Sequence, residues 1–187
     1  MKVLAINGSP RHGGNTYDML CEVLDVCAKA SCETELFQAG GRVVQGCKHC
    51  NGCAGRDACV IGDWVNEVYE KMKVADAIIL GSPTYFFDLT PEMKSIIDRC
   101  GFVTRFNGFT LSRKIGAAVS AVRRAGGIPT IDTMQRFFLI SDMIVPGSTY
   151  LNMSLSLSPG DFHKDKEGIK TMQRLGENIV WLLQRGN

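Results

Sequence analysis

Four cysteines crowd into one short stretch of the chain: Cys47, Cys50, Cys53 and Cys59, spaced C-x2-C-x2-C-x5-C. A run of cysteines at two-residue gaps is a known way to hold a [4Fe–4S] cluster through thiolates. Other states fit the same residues. Zinc sites usually draw on two separated pairs rather than a tight triple. C-x-x-C pairs depress a thiol pKa and support dithiol redox chemistry. A thiol-rich loop without metal is the fourth state. The remaining cysteines, Cys21, Cys27, Cys32 and Cys100, sit among apolar or helical neighbours and read as core or surface thiols.

A second constellation lies near the start. Asn7-Gly8-Ser9-Pro10-Arg11-His12-Gly13-Gly14-Asn15-Thr16 is glycine-rich and leads into a helical pattern. Such a loop presents unpaired backbone N–H groups at the positive end of a helix, which is an anion site. Ser9, Asn15 and Thr16 add side-chain donors, and Arg11 adds a charge that can grip a phosphate bidentately. The loop lacks the Gly-Lys-Ser/Thr of a P-loop and the G-x-G-x-x-G of a dinucleotide site. A terminal phosphate monoester therefore suits it better than a pyrophosphate. The plainer alternative is a turn in which Asn15 or Thr16 merely caps the helix.

Two more segments carry suggestive residues. Ser82-Pro83-Thr84-Tyr85-Phe86-Phe87 can hold a planar ring, although three adjacent aromatics cannot all face one ring. Arg123-Arg124-Ala125-Gly126-Gly127 is a basic loop that can face an anion or stay solvated. His12, His49 and His163 fall in loops and read as solvated. No residue stands out as a general acid or base, so no catalytic side chain is assigned.

The elements that must position these loops alternate between apolar runs and amphipathic stretches. Strands are expected at Lys2–Asn7, Glu33–Gln38, Asp76–Leu80, Ile115–Val122 and from Met143 to about Leu151. Helices are expected from Thr16 to Ala30, Asp63 to Lys73, Pro91 to about Phe102, after Gly127 to Ser141, and Gly168 to Gln184. Asp63 is placed as a cap and Pro91 in a first helical turn. This alternation implies a parallel sheet with helices on both faces. Ligands bind such sheets beyond the carboxyl ends of the strands. The loops after strands one, three and four lie there. The chain reads as one α/β domain, residues 1–187, with a cysteine-rich insertion at 39–62.

Composition narrows the function. The 187 residues are 45% hydrophobic and 21% charged, and the net charge of +2 argues against nucleic acid and membrane binding. No signal peptide or bilayer-length segment is visible, so a cytoplasmic location is expected.

Gly8-Ser9-Pro10-Arg11-x-x-Gly14-Asn15-Thr16, Gly81-Ser82-Pro83-Thr84-Tyr85 and Lys94-x-x-x-Asp98-Arg99 together resemble the NAD(P)H-dependent FMN reductase branch of the flavodoxin-like superfamily. The resemblance implies a doubly wound five-stranded sheet of order 2-1-3-4-5. It implies FMN with its phosphate at Ser9, Arg11, Asn15 and Thr16, and its ring against Pro83, Thr84, Tyr85 and Phe86. The loop with Arg123 and Gly126 would lie beside the flavin. Asp98 and Arg99 read as a local ion pair on their helix. With the cysteine run, the chain also resembles the iron–sulfur flavoproteins, which implies electron transfer between FMN and a [4Fe–4S] cluster on Cys47, Cys50, Cys53 and Cys59. NAD(P)H or a ferredoxin-like protein would be the donor and a small molecule the acceptor. A cluster-free FMN or quinone reductase is the alternative, and a redox sensor a third. A homodimer or homotetramer is expected, its partner covering Tyr85–Phe87, Phe102, Phe106 and Phe109.

Overall fold

The computed structural model describes residues 1–185. Its strands are β1 (Lys2–Asn7), β2 (Glu33–Gln38), β3 (Ala77–Pro83), β4 (Ile115–Val122) and β5 (Met153–Leu155). All pair in parallel, in the order β2-β1-β3-β4-β5. The helices are α1 (Asn15–Lys29), α2 (Trp64–Val74), α3 (Pro91–Phe106), α4 (Gly127–Ile140) and α5 (Lys166–Arg185), with a 3-10 turn at Asp161–Lys164. The fold is the expected flavodoxin-like α/β arrangement.

Strand alternation sorts the core into two layers. Val3, Ala5, Ile79, Ala117 and Val119 meet α1 and α5 on one face. Leu4, Ile6, Ile78, Leu80 and Ala118 meet α2, α3 and α4 on the other. Because successive side chains point to opposite faces, continuous apolar strands are what a sheet covered on both sides requires. Local caps fix the helix starts. Asp63 accepts from the Val65 N–H at 3.1 Å, and Thr90 accepts from the Met93 N–H at 3.4 Å with Pro91 opening the first turn.

The fifth strand differs from the expectation. Only Ile144 of the 143–151 segment bridges the sheet, against Ile115 at the start of β4. Pro146, which has no N–H to give, and Gly147 then break the pairing. The chain returns to the sheet later, where Met153, Ser154 and Leu155 pair with Ser120, Ala121 and Val122. The carboxyl end of β5 thus reaches the edge where the loops after β1, β3 and β4 gather.

Candidate functional site

Ser9, Arg11, Asn15, Pro83, Thr84, Tyr85 and Arg123 line one cleft at that carboxyl edge. Ala121, Ser156 and Leu157 complete it. The sequence reading missed Ser156 and Leu157 because it put the last strand too early. A run of serines just after a strand was the available signal.

The first loop is set by its neighbours. The Gly8 N–H donates to the Gly81 carbonyl at 2.7 Å, and Thr90 Oγ1 donates to the Gly8 carbonyl at 2.9 Å. Asn7 accepts from the Ser9 N–H, and Gln38 Nε2 donates to the Ser9 and Gly40 carbonyls. Gly40 packs backbone to backbone on Ser9, so any Cβ at residue 40 would overlap the Ser9 carbonyl. Helix α1 then begins after Gly14, which supplies no side-chain cap. Its first N–H groups have no intrahelical partner and open beside Arg11.

Two predicted residues have tasks of their own. Asn15 is occupied at both ends of its amide: Nδ2 donates to the Ser158 carbonyl at 2.8 Å, and Oδ1 accepts from the Phe162 N–H at 3.2 Å. Its side chain therefore ties the segment after β5 to α1. Thr84 Oγ1 lies 3.0 Å from both Ser120 Oγ and Thr130 Oγ1, and Thr130 donates to the Gly126 carbonyl. That hydroxyl chain joins the loops after β3 and β4. Three predicted residues do not line the cleft. Thr16 is buried in the first turn of α1. Gly126, at φ +90°, caps α4 and packs under Thr84 and Phe87. Phe86 is fully exposed at the tip of a tight turn closed by paired Tyr85–Asp88 backbone hydrogen bonds. Phe86 and Phe87 are its central residues, both at positive φ.

His163 is exposed as expected, with one contact to α1. Its Nε2 lies 3.3 Å from an Asp18 carboxylate oxygen, between the 3-10 turn and α1. Burial raises the Asp18 carboxyl, and His163 opposes that rise.

The four clustered cysteines surround a second, narrow cavity. Cys47, Cys50, Cys53 and Cys59 share it with His49, Arg99, Phe102 and Phe106. Burial pushes the Cys53 thiol up and its own backbone N–H opposes this, while Cys59, Cys47 and Cys50 push it further up. Among the described residues, no three His, Cys, Asp or Glu side chains are grouped as for a single metal ion. His49 meets the Phe102 ring edge-on, and Phe102 stacks on Phe106. Phe102 and Phe106 thus wall this cavity as well as reaching the surface. The other cysteines behave as read: Cys27, Cys32 and Cys100 are buried and Cys21 is half-buried. Burial pushes the Cys27 and Cys100 thiols up to about 12.

No regular element carries the cysteine segment; side chains from α2 and α3 pin it instead. Asn66 brackets Cys59 through its N–H and carbonyl. Asn107 accepts from the Asp57 N–H and donates to the Cys53 carbonyl. Tyr69 and Lys73 both bond the Asp57 carboxylate. Trp64 Nε1 donates to the Val43 carbonyl at 2.8 Å. The strongest pin corrects an expectation. Arg99 ignores its neighbour Asp98, which pairs with Lys94. Its guanidinium instead meets both oxygens of Asp63 at 2.7 Å and also reaches the Gln45 and Ile61 carbonyls. Burial works to raise the Asp63 carboxyl, but Arg99 and the Val65 N–H hold it below the usual range.

Residues 1–157 match the NADPH-dependent FMN reductase family. The chain belongs to that family. It is 38% identical to an iron–sulfur flavoprotein of Methanocaldococcus jannaschii, over 96% of each chain. Among solved structures it resembles the Trp repressor binding protein of Bacillus subtilis, with a TM-score of 0.71, 21% identity and coverage of 92% and 99% of the two chains. It also resembles a flavodoxin, WrbA-like protein from Agrobacterium tumefaciens, with a TM-score of 0.70 and 14% identity over 100% and 98%. Family membership makes the chain an FMN-dependent oxidoreductase that takes electrons from a nicotinamide. No helix among the described residues is long and apolar enough to cross a membrane.

Proposed function

We propose that this family member binds FMN in the cleft at the carboxyl edge of the sheet and a [4Fe–4S] cluster in the cysteine cavity. It would pass electrons from NAD(P)H or a ferredoxin-like protein to a small-molecule acceptor. The observation that carries the flavin site is the uncapped start of α1, opening beside Arg11. Free N–H groups and an exposed guanidinium make a seat for a phosphate dianion. Ser9 belongs to that seat as a hydroxyl donor, Thr16 serves it through its place in the first turn of α1 rather than through its buried side chain, and Asn15 serves it by holding the 158–162 segment in place. Pro83, Thr84 and Tyr85 border the ring end, and Arg123 brings positive charge to it. Phe86 and Gly126 act indirectly, through the turn and the loop they shape.

The cluster reading rests on four thiols around one cavity and on the likeness to the iron–sulfur flavoprotein of M. jannaschii. Bound FMN supplies two-electron and one-electron chemistry, and a cluster supplies one-electron chemistry. The protein's part is to fix both centres in place. Eight free thiols suit the reducing cytoplasm. Exposed Phe86 and Phe87 suit a homodimer or homotetramer, in which a neighbour covers them.

Anaerobic reconstitution tests the reading, followed by mass identification of the released flavin and quantitation of iron and sulfide. One FMN and about four irons per chain are expected. FAD, or no flavin, overturns the cleft assignment. One zinc in place of iron makes the cysteine site structural. FMN without any metal leaves a cluster-free reductase.

A further inference from the structure

Arg99 is the largest fully buried side chain among the described residues. A guanidinium has five N–H donors. Four are used: Nη1 donates to the Gln45 carbonyl and to Asp63, and Nη2 donates to the Ile61 carbonyl and to Asp63. The fifth is not. Nε is buried with no hydrogen-bond partner. An unmet donor on a buried cation is costly to leave, so its surroundings call for an acceptor.

The surroundings are sulfur. Arg99 is the one arginine on the wall of the cavity ringed by Cys47, Cys50, Cys53 and Cys59. Cys59 is the closest of these in its influence. Burial disfavours the Arg99 charge, while Asp63 and then Cys59 favour it. The two Nη atoms are taken by Asp63 and by the Gln45 and Ile61 carbonyls, which leaves Nε–H as the one guanidinium donor still unpaired on a side chain that lines the thiol cavity.

We propose that the Arg99 Nε–H donates a hydrogen bond to the Cys59 sulfur when that cysteine ligates the metal centre, and so raises the centre's reduction potential. This rests on the cluster reading above. The reason is electrostatic. Reduction adds one negative charge to the centre, and a fixed N–H from a buried cation stabilises the more negative form. Hydrogen bonds to sulfur and local charge are levers on such potentials. Lysine could keep the charge and the pairing with Asp63, but it has no planar fork to serve both sides at once. Arg99 thus acts through the ligand sulfur as a positioning residue that also tunes it.

The test compares reconstituted wild type, Arg99→Lys and Asn107→Ala by potentiometric titration followed by EPR, at matched iron content. Asn107→Ala frees the Cys53 carbonyl and the Asp57 N–H without touching Arg99. Arg99→Lys should shift the one-electron equilibrium about tenfold toward the oxidised form, or roughly 59 mV downward. Asn107→Ala should lose iron more readily yet keep the wild-type potential. A purely structural Arg99 would make the two variants behave alike, and unchanged potential in Arg99→Lys overturns the proposal. A second measurement needs no variant. Wild type grown with 15N-arginine should show arginine nitrogen coupled to the reduced centre in pulsed EPR, and absence of that coupling also overturns the proposal. Wild type that takes up no iron and sulfide overturns the cluster reading and this assignment together. Full iron with equal potentials overturns this assignment alone.

Discussion

The flavin cleft and the cysteine cavity are built by opposite means. The cleft is made of short loops whose ends are fixed by neighbouring parallel strands. Its backbone is placed by the sheet, and side chains such as Thr90, Gln38, Asn15 and Thr84 then tie loops whose ends are already fixed. The cysteine segment has no strand or helix of its own and takes positive φ at His49, Asn51, Gly55 and Asp57. It is held by side chains reaching in from α2 and α3. The regions meet at Gln38 and Gly40, where the cysteine segment starts from a bond with the Ser9 loop. One site therefore inherits its precision from the fold, and the other depends on a handful of long-range contacts.

The largest effect should come from cutting the strongest of those contacts. Asp63→Asn leaves the buried Arg99 charge without its carboxylate. Removing one partner of a buried pair costs about 3–5 kcal/mol. A urea titration should show that loss, with thiols of Cys53 and Cys59 becoming reactive while FMN affinity changes little. Equal loss of FMN binding would mean that the two regions share one scaffold. The same pair can be read by pH. The Asp63 carboxyl is held below its ordinary value, so the stability it lends is complete above the unfolded carboxylate pKa, about 4. It disappears as pH falls through the lower folded value. Cleavage of the cysteine segment by an acid-active protease should rise in that acid window before the sheet unfolds.

What the sequence disclosed follows the same division. Strand positions, the Asp63 and Thr90 region helix starts, and the three loops at the carboxyl edge were legible because each depends on residues a few positions apart. β5 was misplaced because Met143, Ile144 and Val145 carry a strand's composition, while Pro146 and Gly147 deny the pairing. The cysteines were legible as a group, but their support was not. Arg99 reads locally as a partner for Asp98, and nothing near it points to Asp63 on another helix. Asn15 looked like a phosphate donor by its place in the loop. Only the return of residues 158–162 over α1 shows what holds its amide.

A smaller effect should fall on the cleft. Arg11 is exposed and makes no ion pair among the described residues, so its removal leaves the fold intact. Arg11→Ala should weaken FMN binding by about 1.5–3 kcal/mol, or roughly ten- to a hundredfold, as for one charged hydrogen bond. Fluorescence titration at two salt concentrations checks this. Iron content should not change. Unaltered affinity at both salts would place the phosphate away from Arg11, and a parallel loss of iron would erase the contrast between the two regions.

The smallest effect concerns the turn beside the cleft, where the structure accepts local strain. Tyr85 and Asp88 exchange both backbone hydrogen bonds around Phe86 and Phe87, which stand at φ +47° and +66°. Such a turn favours Asn-Gly, since bulky side chains resist the left-handed region. Each phenylalanine there costs on the order of 1 kcal/mol. Phe86 recovers none of that cost inside the chain, being fully exposed, and Phe87, nearly two thirds exposed at 64%, recovers only part of it where its ring packs over Gly126. Replacing the pair, Phe86→Asn with Phe87→Gly, should therefore stabilise the isolated chain by about 1 kcal/mol or slightly more in thermal unfolding. If a second copy covers these rings, the same variant should shift sedimentation toward monomer. More stable and less associated is the expected pair of results. A variant that unfolds earlier would show that the rings pack on the chain's own surface. Unchanged association would move the subunit contact elsewhere and leave the strained turn to the flavin cleft alone.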